Sequence, residues 1–196
     1  MKRFAHLIAA ALLSAIVPAH AQGPVVPRRD TLGANFDHTK PGTGTPTDFD
    51  FLVGKWSFTF QSRDRDHPET YLPAFDGIWT GIKTHDNLIV EDEFSRDAGN
   101  GTRTMTVTYR VMNAQRKLWE IQGVGARRGV WQPGIAWSQG TDRFLVQENP
   151  DQKMLVRIRY YDITPTHFLW RADGSLDRGK TWVKDVMLIE AKRISP

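Results

Sequence analysis

The sequence predicts an all-β domain: an antiparallel barrel of eight to ten strands, closed at one end by a short N-terminal plug. Three observations carry this. Apolar–polar alternation with a period of two recurs in short runs from residue 55 onward, as half-buried strands require. No segment sustains a 3.6-residue period over a helical length, and no β-α-β rhythm occurs, which disfavours doubly wound nucleotide-binding folds. Seven Trp and ten Phe in so small a domain suit a closed, tapered interior better than a sandwich. Closure also removes exposed strand edges.

The chain of 196 residues opens on a segment that reads as targeting. Lys2 and Arg3 precede an apolar run, Leu7 to Val17, broken only by Ser14. Pro18-Ala19-His20-Ala21 then places small residues at both positions of an A-x-A cleavage site. The run is well short of the ~20 residues a membrane span needs. A secretory signal peptide over residues 1–21 is expected, and with it a periplasmic or secreted location and no stable membrane span after cleavage. Cleavage takes two of the 26 basic residues, leaving 24 against 22 acidic ones, a net charge of about +2. No dense Lys/Arg block occurs, so nucleic acid is not an expected partner. There is no cysteine, which excludes thiol catalysis and thiolate metal sites and leaves stability to packing. Residues 22–46 form a polar leader interrupted by Pro24, Pro27, Pro41 and Pro46, with Phe36 as a local anchor. The barrel domain is expected over residues 47–196.

Phe49, Phe51 and Leu52 are too brief an apolar cluster for a helix and suit a turn that plugs a hole. Gly54 marks the junction, where a sharp turn gains most from having no Cβ. Trp56, Phe58 and Phe60 then alternate with Lys55, Ser57 and Thr59 as the first strand. Gln61 to Thr70 holds Arg63, Asp64, Arg65, Asp66 and Glu69 and is a solvated loop. In the second strand, Phe75 to Thr84, Gly77, Trp79 and Gly81 share one face; small residues beside a Trp point to curvature or close passage of another chain. A third strand covers Asn87 to Ser95. The fourth, Arg103 to Met112, has the cleanest alternation and sets Met105, Val107, Tyr109 and Val111 against Thr104, Thr106, Thr108 and Arg110. Lys117 to Gly125 is the fifth. Residues 127–139 are less regular, with Pro133 and two Trp. Strands at Asp142 to Glu148, Met154 to Ile163 and His167 to Ala172 follow. Thr181 to Ile194 ends the fold, bent near Asp185.

The stretch Phe49-Asp50-Phe51-Leu52-Val53-Gly54-Lys55-Trp56 resembles the opening of lipocalin-like, or calycin-like, bacterial domains, in which a short apolar plug precedes Gly-x-Trp at the first barrel strand. Tyr109-Arg110-Val111-Met112-Asn113 followed by Trp119, Asp173-Gly174 followed by Gly179-Lys180-Thr181-Trp182, and the closing Met187 to Arg193 resemble the same group. The resemblance spans roughly residues 47–194. Domains of that group, secreted or cytoplasmic, are of largely uncharacterised function, so the resemblance implies a calycin/lipocalin-like barrel rather than an activity. Related barrels include carriers of apolar ligands, a haem-binding group, and a few lyases and isomerases. No family-specific catalytic motif is present to carry over.

On the parity set by Trp56, the ligand-binding residues expected to line a cavity are Phe58, Trp79, Tyr109 and Trp119, with Gly54 and Trp56 structural. A ligand site also needs a few convergent polar groups. Glu91 and Glu93 share a face, some ~6–7 Å apart as i and i+2 on a strand. Turned inward they form an acid–base pair; turned outward they leave Phe94 inside. Glu120, beside Trp119, raises the same two placements. Arg157 and Arg159 face away from Ile158 and Tyr160, which make the natural interior. Of His38, His67, His85 and His167, no two have metal-ligand spacing, so no metal site is expected. His167 precedes Phe168-Leu169-Trp170 and approaches a cavity mouth. By the resemblance to haem-binding barrels, where a late histidine holds the iron, haem is the one cofactor to consider; otherwise none is expected. His85-Asp86 reads either as a general-base pair or as a turn. There is no Gly-x-Ser-x-Gly elbow. The glycines of residues 123–129 do not lead from strand to helix, so they are not a phosphate loop.

Three functions fit this architecture. The first is an exported barrel that binds a small apolar or aromatic molecule in its cavity. The second is a lyase, isomerase or cyclase using carboxylate, Tyr or His acid–base groups there; its catalytic candidates are Glu91, Glu93, Tyr109 and His167, which it requires to meet in one pocket. The third is a structural domain with a filled core, favoured by a cavity below ~300 Å³.

Overall fold

The computed structural model describes residues 25–26, 36–97 and 101–196. The expected signal peptide and much of the expected leader lie outside the described residues. Ten strands run in chain order: β1 (Gly54–Ser62), β2 (Phe75–Thr84), β3 (Ile89–Asp97), β4 (Arg103–Asn113), β5 (Leu118–Gly125), β6 (Val130–Gln139), β7 (Asp142–Asn149), β8 (Met154–Tyr161), β9 (His167–Ser175) and β10 (Val183–Ser195). Each pairs with its neighbour in sequence, and β1 also pairs with β10, so the sheet closes on itself. All pairings are antiparallel. The irregular stretch at residues 127–139 is β6. The bend near Asp185 is a register break between Val183 and Met187. Asp185 there has φ 54°, and its backbone N–H donates to Asp173 Oδ1 at 2.9 Å.

The plug is a single 3-10 turn, Asp50–Leu52, capping one end of the barrel. Phe49 and Leu52 are fully buried. Phe49 meets Trp119 and Tyr160 edge-on at 5.3 and 5.9 Å, and Phe51 meets Phe168 at 5.3 Å. The Trp56 indole donates to the Leu52 carbonyl at 3.1 Å. Arg193, from the last strand, donates to the carbonyls of Val53 and Phe51 at 2.7 and 3.0 Å, tying the end of the chain to the plug. Gly54 has φ 111°, a conformation that side chains rarely tolerate. Gly81 lets the Leu52 carbonyl lie directly against the β2 backbone. This is the close passage expected of the Gly-Trp-Gly face. Phe36 of the leader packs edge-on against Trp137 and Phe144 at 5.6 and 4.8 Å.

Two layers of packing result. Inside the barrel, aromatic and aliphatic side chains from both ends of the sequence merge into one core around Trp56, Trp79, Tyr160 and Phe168. On the outer wall of β7–β10 lies a second layer of buried ion pairs. Arg157 meets Asp173 at 2.9 Å, Arg159 meets Asp142 at 2.6 Å, and Arg171 meets Asp185 at 2.6 Å. The Arg157 guanidinium lies between the Phe36 and Trp182 rings, at 5.5 and 4.3 Å. Arg157 and Arg159 thus point away from the interior, as the parity of Ile158 and Tyr160 predicts, yet are covered.

One strand corrects the parity read from sequence. Thr106, Thr108 and Arg110 of β4 face the interior, while Tyr109 and Val111 lie on the outer wall, 37% and 41% exposed. The register explains why. Phe94 lies opposite Thr106, Asp92 opposite Thr108 and Val90 opposite Arg110. Cross-strand partners share a face, so burial of Val90 and Phe94 brings the polar side of β4 in with them. Tyr109, opposite Glu91, goes out with that acid.

Candidate functional site

The half of the barrel away from the plug contains a cavity of about 210 Å³. Its geometry follows from four inward rungs across β3 and β4: Val90/Arg110, Asp92/Thr108, Phe94/Thr106 and Arg96/Thr104. The lowest rung packs under the plug and the highest lies at the mouth. One wall is apolar, built from Phe60, Phe94, Trp170, Met187 and Ile189. The facing wall is polar, with Thr106, Thr108, Gln132 and Gln147.

The floor is a buried polar network. Arg110 is ion-paired with Asp92, both about 1% exposed. Asp92 also accepts from the Trp79 indole at 2.8 Å, and Arg110 donates to the Tyr160 hydroxyl at 3.2 Å. Burial pulls the Arg110 guanidinium below its ordinary pKa range, and Tyr160 opposes that pull. Arg110 Nε is buried with no hydrogen-bond partner, and the Thr106 and Thr108 hydroxyls bond to no described residue. Three groups along the cavity therefore retain hydrogen-bonding capacity, all neutral except the paired guanidinium.

Phe58, Trp79 and Trp119 are all buried within the barrel, but at different places. Trp79 lines the cavity. Phe58 stacks on Phe94 at 4.1 Å, behind the apolar wall. Trp119 packs under the plug against Phe49. Tyr109 is outside. The other acid–base candidates do not join it in a pocket. Glu91 lies opposite Tyr109 on the outer wall. Glu93 is bound there by Arg103 at 2.5 Å. His167 is also outside, its Nδ1 3.6 Å from Asp162 and its Nε2 3.3 Å from Glu190. None of these four lines the cavity, and no described histidine does. His85 and Asp86 form a turn with positive φ. Glu120 is taken up by Arg116 at 2.6 Å. Among the described residues no cluster of three metal-ligating groups occurs, and no helix is long and apolar enough to cross a membrane.

The polar groups that do converge are Asp92, Arg110 and Tyr160. The signal for them lay in the parity of Val90-x-Asp92-x-Phe94, which places an acid on an apolar strand face. A buried acid demands a cationic or donor partner, and the clean alternation of β4 offers Arg110.

No protein-family model matches the sequence, and no curated protein matches it. Among solved structures, the chain is similar to the S-type phycobiliprotein lyase CPES from Guillardia theta. The TM-score is 0.51 at 10% identity, over 76% of this chain and 90% of that one. At that identity the likeness concerns fold alone. Together with the closed ten-stranded antiparallel sheet it shows a calycin/lipocalin-like barrel.

Proposed function

We propose that this protein is an exported barrel that binds a small molecule, one aromatic ring in scale, in the cavity at its open end. The observation that carries the reading is the division of the cavity into an apolar wall and a hydrogen-bonding wall. A side-chain-filled core has no need of hydroxyls without partners. The size supports a one-ring ligand, since a dry cavity of roughly 150 Å³ accepts benzene. It argues against anything larger, because drug-sized ligands occupy ~300 Å³ or more.

That same volume favours a second reading, a structural barrel with a residual void. Lyase chemistry, suggested by the name of the similar barrel, would have to use Asp92 and Tyr160, because the four acid–base candidates do not line the cavity. Export rests on residues 1–21, and secretion with removal of that segment is part of the proposal. Mass spectrometry of the protein purified from its own periplasm tests both parts. The expected polypeptide mass starts at Gln22, and the native spectrum carries a bound small molecule. A bare native protein whose NMR spectrum is unmoved by toluene or p-cresol would establish the filled barrel instead.

A further inference from the structure

One guanidinium, Arg110, lines the cavity floor, and a second, Arg96, lies just beyond the lining over Phe75, which stacks on the cavity-wall residue Phe60; the two are not equivalent. Arg110, at the floor, is neutralised by Asp92 and also bound to Tyr160. An anion placed there would meet the Asp92 carboxylate at close range in a site nearly free of water, which is strongly unfavourable. Arg96 is on the top rung, four residues along β3 from Asp92 and therefore about 13 Å further along the strand toward the mouth. Its guanidinium lies 3.9 Å from the Phe75 ring centroid, and its Nε donates to Thr104 Oγ1 at 3.3 Å. These two contacts hold the planar group in place and leave its terminal nitrogens uncommitted. No described carboxylate pairs with it. The nearby cations Arg103 and Arg128 are each paired, with Glu93 and Asp151. Glu148, on β7, is an acid at the cavity wall. It stands across the barrel from β3, with three strands between on the shorter way round.

Between the rungs lies the hydrophobic segment of the site. Phe75 stacks on Phe60 at 4.7 Å, and Phe60 and Phe94 continue as the apolar wall down to Trp79 and Trp170. An aromatic ring entering this space finds edge and face partners at both levels. The charge pattern is then directional: apolar ring and neutral hydrogen bonds inside, one unpaired cation outside.

We propose that the ligand of this cavity is a single-ring arylalkanoate, bound with its ring inward and its carboxylate on Arg96 at the mouth. This rests on the reading of the cavity as a ligand site. Guanidinium–carboxylate pairing is bidentate and planar, and a pre-oriented Arg supplies it at little further ordering cost.

The test uses a matched pair of probes, 3-phenylpropanoate and 3-phenylpropanamide, with toluene as a ring without a polar group. Binding is read by tryptophan fluorescence, since Trp79 and Trp170 line the cavity, and checked by calorimetry. The acid is expected to bind the native protein about tenfold more tightly than the amide, the scale of one charged hydrogen-bonding contact. Arg96→Gln should abolish that preference and leave the amide within twofold of its native affinity. Glu148→Gln should strengthen acid binding and leave the amide unchanged. If the amide and toluene bind but the acid is no tighter, or if its preference survives Arg96→Gln, the assignment to Arg96 is wrong while the cavity remains a ligand site. If none of the three probes binds, both this inference and the ligand-site reading fall.

Discussion

Arg110 brings a full positive charge inside the barrel, and its partners among the described residues are Asp92 and Tyr160. Such a pair gains little over apolar residues of the same shape, yet losing one member leaves an uncompensated buried charge. Asp92→Ala is therefore expected to lower stability by about 3–5 kcal/mol, measured by urea unfolding. The double replacement Asp92→Leu with Arg110→Met should recover most of that loss and weaken binding of any hydrogen-bonding ligand. If the single variant unfolds like the parent, the pair is not the floor of the cavity. Residue by residue, the sequence disclosed this site poorly. The rule that apolar faces point inward holds where a core is filled by its own side chains. A cavity that keeps polar groups inside inverts the rule locally, and β4 is where it does so. The parity set by Trp56 puts Tyr109 among the lining residues, but the clean alternation of β4 leaves open which of its two faces is the wet one. Asp92 and Phe94 opposite β4 decide that question.

At the level of elements, one glycine of β2 acts on the plug. Gly81 faces the Leu52 carbonyl so closely that a methyl group would overlap backbone, which yields less readily than a side chain. Gly81→Ala should cost about 1–3 kcal/mol in denaturant unfolding, the range of an overpacked core. It should also perturb the Trp56 indole N–H resonance in NMR spectra, because that group donates to the displaced carbonyl. An unchanged indole signal would mean that the plug is not seated on β2. The plug, most strands and the bend at Asp185 were legible because each has a short-range cause: an apolar cluster before a glycine, a period of two, or turn residues between runs. β6 was not, since Pro133 and its two Trp interrupt the alternation. Its pairing with β5 and β7 comes from long-range closure, which no local window contains. The Arg157–Asp173 pair roofed by Phe36 and Trp182 was hidden for a similar reason. Arg157 and Arg159 face away from the interior as the parity predicts, but the cover over Arg157 comes from distant segments of the chain, while Arg159 lies by Phe144 of the paired strand and Tyr161.

Across the whole molecule, every ladder but one joins strands adjacent in sequence, and the exception joins first to last. Lys55 lies opposite Ser195, so the ordered start and finish of the barrel meet beside the plug. The architecture is in effect a ring that has been cut once, and the cut can be moved. A permuted chain beginning at Leu88, in the exposed turn between β2 and β3, and running from Pro196 through a flexible linker of about 15 residues back to Phe36 should rebuild the same barrel. Loop entropy rises only slowly with linker length. Circular dichroism and cooperative urea unfolding close to the parent's are the expected result, and a permutant without a cooperative transition would show that the β1–β2–β3 order must be made continuously. Because that turn is at the plug end, the new termini leave the opposite mouth untouched. The location of the termini is then separable from the strand pairing that makes the barrel, and it becomes a handle for fusing or tethering this protein while its cavity stays open.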